Sequence, residues 1–90
     1  MKLLSSEQLL LLADEFCAVH HVSVRSFAAL AAAAAIPGAR FDGVFVFDSS
    51  EQASAALADG IRRLEPLTSH NREFGAVVAQ VYARWAGYPR

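Results

Sequence analysis

Apolar residues recur at helical spacing along four stretches of this chain, and a fifth stretch breaks the pattern. In the first, Leu9, Leu12, Phe16 and Val19 fall on one face while Asp14 and Glu15 fall elsewhere, which predicts an amphipathic helix over 6–20. Ser5 with Gln8 three residues on makes a capping box at its start, and His20-His21 marks its end. Ser23 is the predicted N-cap of a second helix over 24–35, with Phe27, Leu30, Ala31 and Ala34 turned inward. Ile36-Pro37-Gly38 stops it, since Pro disfavours helix at the residue before it and Gly accepts left-handed backbone. Ala53, Ala56, Leu57, Gly60, Ile61 and Leu64 mark a third helix over 50–64. Asp48 with Glu51 forms its predicted capping box, and Arg62-Arg63 lies near its end, where cations suit the helix dipole. Phe74, Val77, Val78, Val81, Tyr82 and Trp85 mark a fourth over 72–86, with Asn71 as its N-cap, Gly87 as its end and Pro89 beyond.

The exception lies between the second and third helices. Phe41-Asp42-Gly43-Val44-Phe45-Val46-Phe47 is rich in Phe and Val and carries an Asp-Gly turn signal. It predicts a short hairpin or extended flap, the plain alternative being a buried connector with no role. The fold class expected is all-α: a small helical bundle with a short extended β-flap, forming a single domain over 1–90.

Composition adds one point to this picture. Hydrophobic residues make up 54% of the chain, above the usual range for soluble domains, and alanine supplies much of the excess. Alanine buries little area, so the core must come from Leu, Val, Ile and aromatic side chains. A small domain this apolar is expected to cover part of its surface with another chain. The net charge of −1 offers no basic excess for phosphates, which argues against nucleic-acid binding. Cys17 is the single cysteine, so there is no internal disulfide framework, and a reducing compartment fits. Lys2, Leu3-Leu4 and Leu9 to Leu12 superficially suggest a signal peptide. Ser5 to Gln8 split the apolar run, and Asp14-Glu15 end it, so that reading is rejected. The alanine-rich run ending at Ile36 is too short and weakly apolar to span a bilayer. A cytoplasmic protein with no membrane partner is expected.

The candidate chemistry lies between the last two helices, in Glu65-Pro66-Leu67-Thr68-Ser69-His70-Asn71-Arg72-Glu73. A helix, a Pro-containing loop and an Asn at the next helix start resemble the signature of the Fic/Doc family, whose motif reads H-P-F-x-[DE]-G-N-x-R. The resemblance extends over most of the chain, from Leu4 to Tyr88: an opening helix at Ser5-Glu7-Gln8-Leu9-Leu10, a short helix, a flap at 39–47, a helix of small residues and then the motif. On this resemblance Phe41, Asp42, Gly43, Val44 and Phe45 form the family flap, and Ala86-Gly87-Tyr88 ends the post-motif helix. The chain then stops where longer family members continue, so the domain is expected to be truncated there.

Within the motif, the position of the family's general-base histidine holds Glu65, while Pro66 is kept and the buried Phe becomes Leu67. Ser69 replaces the acid that holds the nucleotide's metal ion, and His70 replaces the glycine that lets backbone amides wrap the phosphates. Asn71 survives, Arg72 stands at the variable site, and Glu73 replaces the phosphate-clamping arginine. A carboxylate in the first turn satisfies the helix dipole from within and repels an incoming phosphate. Without the acid, Mg²⁺ loses its usual oxygen ligand, and without the glycine, backbone approach is obstructed. A carboxylate is also a weaker base than imidazole near neutrality. Family chemistry needs many preorganised phosphate contacts, so these changes predict a site that has lost nucleotide transfer and takes no ATP or Mg²⁺ cofactor.

Other clusters have plainer readings. His20, His21, His70 and Cys17 have no metal-ligand spacing, and no metal site is expected. Cys17 beside Phe16 is expected to be a small core residue. Arg62, Arg63 and Arg72 form either a residual anion or acidic-partner site, or ordinary surface paired with Glu65 and Glu73. Phe41, Phe45, Phe47, Tyr82 and Trp85 are either a binding surface or core.

Three functions follow as expectations. The first is a catalytically degenerate Fic/Doc-type protein that binds another protein. The resemblance implies a bacterial or phage toxin–antitoxin setting, with an antitoxin-like partner. The second is an active transferase moving AMP or phosphate to a protein hydroxyl, with Glu65 as base, Arg62, Arg63 or Arg72 on phosphate, and ATP with Mg²⁺ as cofactor. The third is an unrelated helical interaction module, in which Asn71 only caps a helix. The wide stripe on the fourth helix predicts a homodimer or a complex with another protein, with Val78, Tyr82 and Trp85 as interface candidates.

Overall fold

The computed structural model describes residues 3–87. Lys2, Tyr88 and Pro89, used above, lie outside the described residues. The chain forms α1 (Ser6–His20), α2 (Phe27–Ala34), β1 (Arg40–Phe41), β2 (Val44–Phe45), α3 (Ser50–Leu64) and α4 (Asn71–Gly87). It is mostly helical with one two-stranded antiparallel hairpin, as the apolar pattern predicts.

The capping box at the start of α1 is formed in both directions: Gln8 N–H donates to Ser5 Oγ (3.0 Å), and Ser5 N–H donates to Gln8 Oε1 (2.9 Å). The helix leaves through His21 in the left-handed region (φ 58°), and Val22 N–H closes back on the Cys17 carbonyl. That arrangement satisfies carbonyls the helix end would otherwise leave open. The buried stripe of α1 is Leu9, Ala13 and Phe16, rotated from the expected face: Leu12 is half-buried and Val19 is exposed.

Two further caps differ from expectation. The N-cap of α2 is Ser26, whose hydroxyl accepts from Ala29 N–H; Ser23 does not cap it, because residues 23–26 are bonded to the distant loop. Phe27, expected inside, is consequently 53% exposed, and Leu30, Ala33 and Ala34 make the inner face. The cap of α3 is Ser49 with Gln52, one residue later than Asp48 with Glu51. The Gln52 side chain reaches back to Asp48 N–H (3.0 Å), so Asp48 takes part through its backbone.

The flap is a tight hairpin pairing Arg40 with Phe45 and Phe41 with Val44. Asp42 and Gly43 both have positive φ (54° and 79°), the geometry that two-residue hairpin turns require. The Arg40 guanidinium lies 4.3 Å from the Phe45 ring centre, while Phe41 and Val44 face solvent. Phe47 packs partly against the core.

The core runs from Leu9, Ala13 and Phe16 through Leu30 to Leu57, Ile61, Leu67, Phe74, Val78 and Tyr82. The interface candidates Val78 and Tyr82 are therefore corrected: both are fully buried in the chain's own core. A helix face spans more than one neighbour here, with α3 on one side of α4 and α1 on another, so the inner half of the stripe is consumed by both. Trp85 is half-buried and stands edge-on to Tyr82, ring centres 6.0 Å apart, while Val77 and Val81 stay exposed. Gly75 sets the distance between α3 and α4: a Cβ there would lie 2.9 Å from the Ala58 carbonyl oxygen, a backbone atom that cannot swing aside.

Gly75→Val is expected to push α3 and α4 apart and cost about 1–3 kcal/mol as overpacking. Tyr82→Ala is expected to cost about 3–5 kcal/mol, as loss of a large buried ring. Urea unfolding midpoints check both, and a Tyr82→Ala variant as stable as the parent would contradict the core assignment.

Candidate functional site

The segment after α3 reverses direction sharply and is held open by bonds from far along the chain. Glu65 takes the left-handed region (φ 51°, ψ 61°) as the C-cap of α3, its N–H bonded to the Ile61 carbonyl. The last carbonyls of α3 face a cation: Arg25 Nε donates to the Glu65 carbonyl (2.7 Å) and Arg25 Nη2 to that of Leu64 (2.9 Å). A fixed guanidinium there suits the negative end of the helix dipole and fills the open acceptors.

Residues 23–26 then grip the loop along its length. Arg25 and Ser26 N–H both donate to the Pro66 carbonyl (2.6 and 3.1 Å), Val24 forms a β-bridge with Leu67, and Thr68 N–H donates to the Ser23 carbonyl (2.8 Å). Thr68 Oγ1 in turn accepts from Ser23 N–H (3.1 Å). Pro66 and Leu67 are buried as a result, so the apolar character kept at position 67 serves packing.

Asn71, expected as an N-cap, is the first residue of α4 and does something different. Its Oδ1 accepts from Leu67 N–H (2.9 Å), and its Nδ2 donates to the Leu67 carbonyl (3.0 Å). The amide thus closes the loop as a ring, satisfying both polar groups of one buried residue. The residue before it accepts the first helical bond, from Phe74 N–H to the His70 carbonyl (2.9 Å). His70 sits at φ 62°, a left-handed conformation that glycine adopts without strain and other residues adopt at a cost.

On the solvent side these residues surround a concavity of about 350 Å³. Glu65, Ser69, His70, Arg72 and Glu73 are exposed around it, with Arg25 and Arg62 on its wall. Ser69 Oγ lies 2.9 Å from His70 Nδ1, which occupies the hydroxyl within the loop. The His70 ring lies 5.4 Å from that of His20, which stacks on Phe16 at 4.1 Å. The sequence separation of His20 and His70 hid this pairing. Arg62 and Arg63 do not pair with Glu65 or Glu73, as one reading had it; both reach Asp59, at 2.6 and 2.8 Å. They lie one helical turn from Asp59 on α3, the spacing at which side chains on one helix meet. The Arg62 hydrogen bond, with Arg63 adding to it, holds the Asp59 carboxyl below its usual range. That surface attraction is present above the ordinary carboxylate range and fades as pH falls through the lowered value.

Sequence reasoning missed Arg25 and Thr68. Both act through partners some forty residues away, and neither belongs to a recognisable spacing. Among the described residues there is no group of His, Cys, Asp and Glu arranged to hold a metal ion. Cys17 is half-buried, and burial, then the Asp14 carboxylate, push its thiol pKa up, which favours the inert thiol. No described helix is long and apolar enough to cross a membrane. Comparison with family models, with curated proteins and with solved structures returns no match.

Asn71→Ala strips partners from both polar groups of buried Leu67 and is expected to cost about 1–3 kcal/mol. Hydrogen exchange at the Leu67 and Thr68 amides should accelerate beyond the change seen in the α3 core. Uniform acceleration across the chain would show that Asn71 contributes only to global stability.

Proposed function

We propose that this chain is a catalytically degenerate Fic/Doc-type domain that acts by binding another protein. The observation that carries the reading is the left-handed backbone of His70, at the position where the family motif has glycine. A histidine held at φ 62° between two helices is accounted for by a loop shape inherited from a sequence with glycine there. The order of helix, short helix, hairpin, helix, loop and helix supports the same reading. So does the Asn71 clasp, which gives that retained residue a reason to persist when nucleotide chemistry is gone.

The side chains around the concavity support loss of transfer. Glu65 and Glu73 bring carboxylates to the rim where a nucleotide's phosphates would approach, and Ser69 offers no carboxylate for Mg²⁺. A cytoplasmic toxin–antitoxin setting, with an antitoxin-like protein as partner, is what the resemblance implies for such a domain. One feature favours an active transferase instead: Arg72 shares the concavity with Asn71 and with Arg62, whose guanidinium also bonds Asp59.

Titration calorimetry with ATP and Mg²⁺ separates the two. The parent chain is expected to show no saturable binding. The quadruple variant Glu65→His, Ser69→Asp, His70→Gly, Glu73→Arg is expected to gain measurable affinity. Saturable binding by the parent would favour the transferase. A quadruple variant that folds and still fails to bind would overturn the family reading and leave an unrelated helical interaction module.

A further inference from the structure

A run of ring contacts leads from the core to the rim of the concavity. Phe74 meets Phe16 with ring centres 5.2 Å apart, Phe16 carries the His20 ring at 4.1 Å, and His20 meets His70 at 5.4 Å. The two phenylalanines are buried and the two histidines are exposed. The histidine contact ties the last residue of α1 to the residue directly before α4. Backbone preference does not hold His70 there, because its left-handed conformation (φ 62°) is one that a residue with a β-carbon adopts at a cost.

Imidazole gains a proton in the region of neutrality, at about pH 6.5. As neutral rings the two pack together, and Ser69 Oγ lies 2.9 Å from His70 Nδ1. With a proton on each, they set two like charges 5.4 Å apart. The surroundings do little to offset the second charge. Among the described residues neither imidazole pairs with a carboxylate, and the ion pairs there join Arg62 and Arg63 to Asp59. On α1, Cys17 lies one turn before His20 as a neutral thiol, with Asp14 acting on it, and His21 follows as the cap. Around His70, Arg25, Arg62 and Arg72 line the concavity against Glu65 and Glu73, so cations are in excess.

We propose that the His20–His70 contact is an acid-sensitive latch between the end of α1 and the loop before α4. It is closed while at most one ring is charged and released when both are. The repulsion exists only in the folded chain, since unfolding separates the two rings. The stability of the latch is therefore present above the imidazole range and is lost as pH falls through it. The latch needs no ligand or partner. Release lets His70 leave the wall of the concavity, so the concavity keeps its shape near neutrality and loses it in acid.

Hydrogen exchange on the full chain tests this, read as protection factors at about pH 7.5 and about pH 5, on either side of the imidazole range. The Leu67 and Thr68 amides, bonded to Asn71 Oδ1 and the Ser23 carbonyl, report the loop, and the Leu57 and Ile61 amides in α3 report the whole fold. Loop protection is expected to fall roughly three- to tenfold in acid beyond any change in α3, the size of a Coulomb repulsion at this separation near a protein surface. Salt at about 1 M, with a screening length of about 3 Å, should remove the fall. His70→Asn accepts the left-handed backbone and His20→Gln keeps a good helix former, and neither side chain titrates. Each should abolish the fall, and either decides the matter where the other fails to fold. His21→Asn, at the neighbouring left-handed cap, should leave it unchanged. A fall that survives both substitutions, or survives 1 M salt as used above, or a parent loop equally protected at both pH values, would overturn the proposal.

Discussion

The grip of residues 23–26 on the loop 65–68 is the constraint on which the other features depend. Three backbone–backbone hydrogen bonds, a fourth from Ser23 N–H to the Thr68 hydroxyl and a guanidinium join two segments that are some forty residues apart. They fix where α3 stops, because Arg25 occupies the carbonyls that a further turn would need. They delay the start of α2, because Ser23 and Arg25 are already committed to the loop. They also bury Pro66 and Leu67, so the loop enters the core beneath its own polar rim. A short domain has little apolar area to spare, and closing a long chain segment costs entropy that many local bonds must offset together.

Around that clasp the helices divide their surfaces unequally. α4 gives Phe74, Val78 and Tyr82 to the core and approaches α3 closely at Gly75. The rest of its apolar stripe, Val77, Val81 and part of Trp85, lies on the side that α1 only partly covers. The same helix therefore serves the interior and offers a surface.

The loop region combines residues that hold its frame with residues that face solvent. Asn71 holds Leu67 by both of its polar groups, a role in folding that needs no nucleotide. His70 keeps a backbone conformation better suited to glycine, and its ring lies near His20 on the end of α1. Around the concavity Glu65, Ser69 and Glu73 are exposed, with Ser69 Oγ beside the His70 ring. Buried positions and exposed positions are therefore interleaved along one short segment.

Local rules were sufficient for the helices and the hairpin. Ser5 with Gln8 caps α1, Asp42-Gly43 turns β1 into β2, and Gly87 is the last residue of α4, each set by backbone preferences within a few residues. Apolar spacing also located the core segments, down to Leu57, Ile61, Phe74 and Val78. Local preference placed two caps early. Ser26 caps α2 in place of Ser23, and Ser49 caps α3 in place of Asp48; tertiary hydrogen bonds to Pro66 and Thr68 settled the first of these. The inward or outward fate of Tyr82 and Val81 was likewise undecided along the chain, because periodicity gives a stripe and not its width. Only the packing of α1 and α3 against α4 divided that stripe, and only the fold brought Arg25 to the end of α3. Contacts between residues so far apart leave no periodic trace, since their spacing is set by the path of the chain and not by the geometry of any one element.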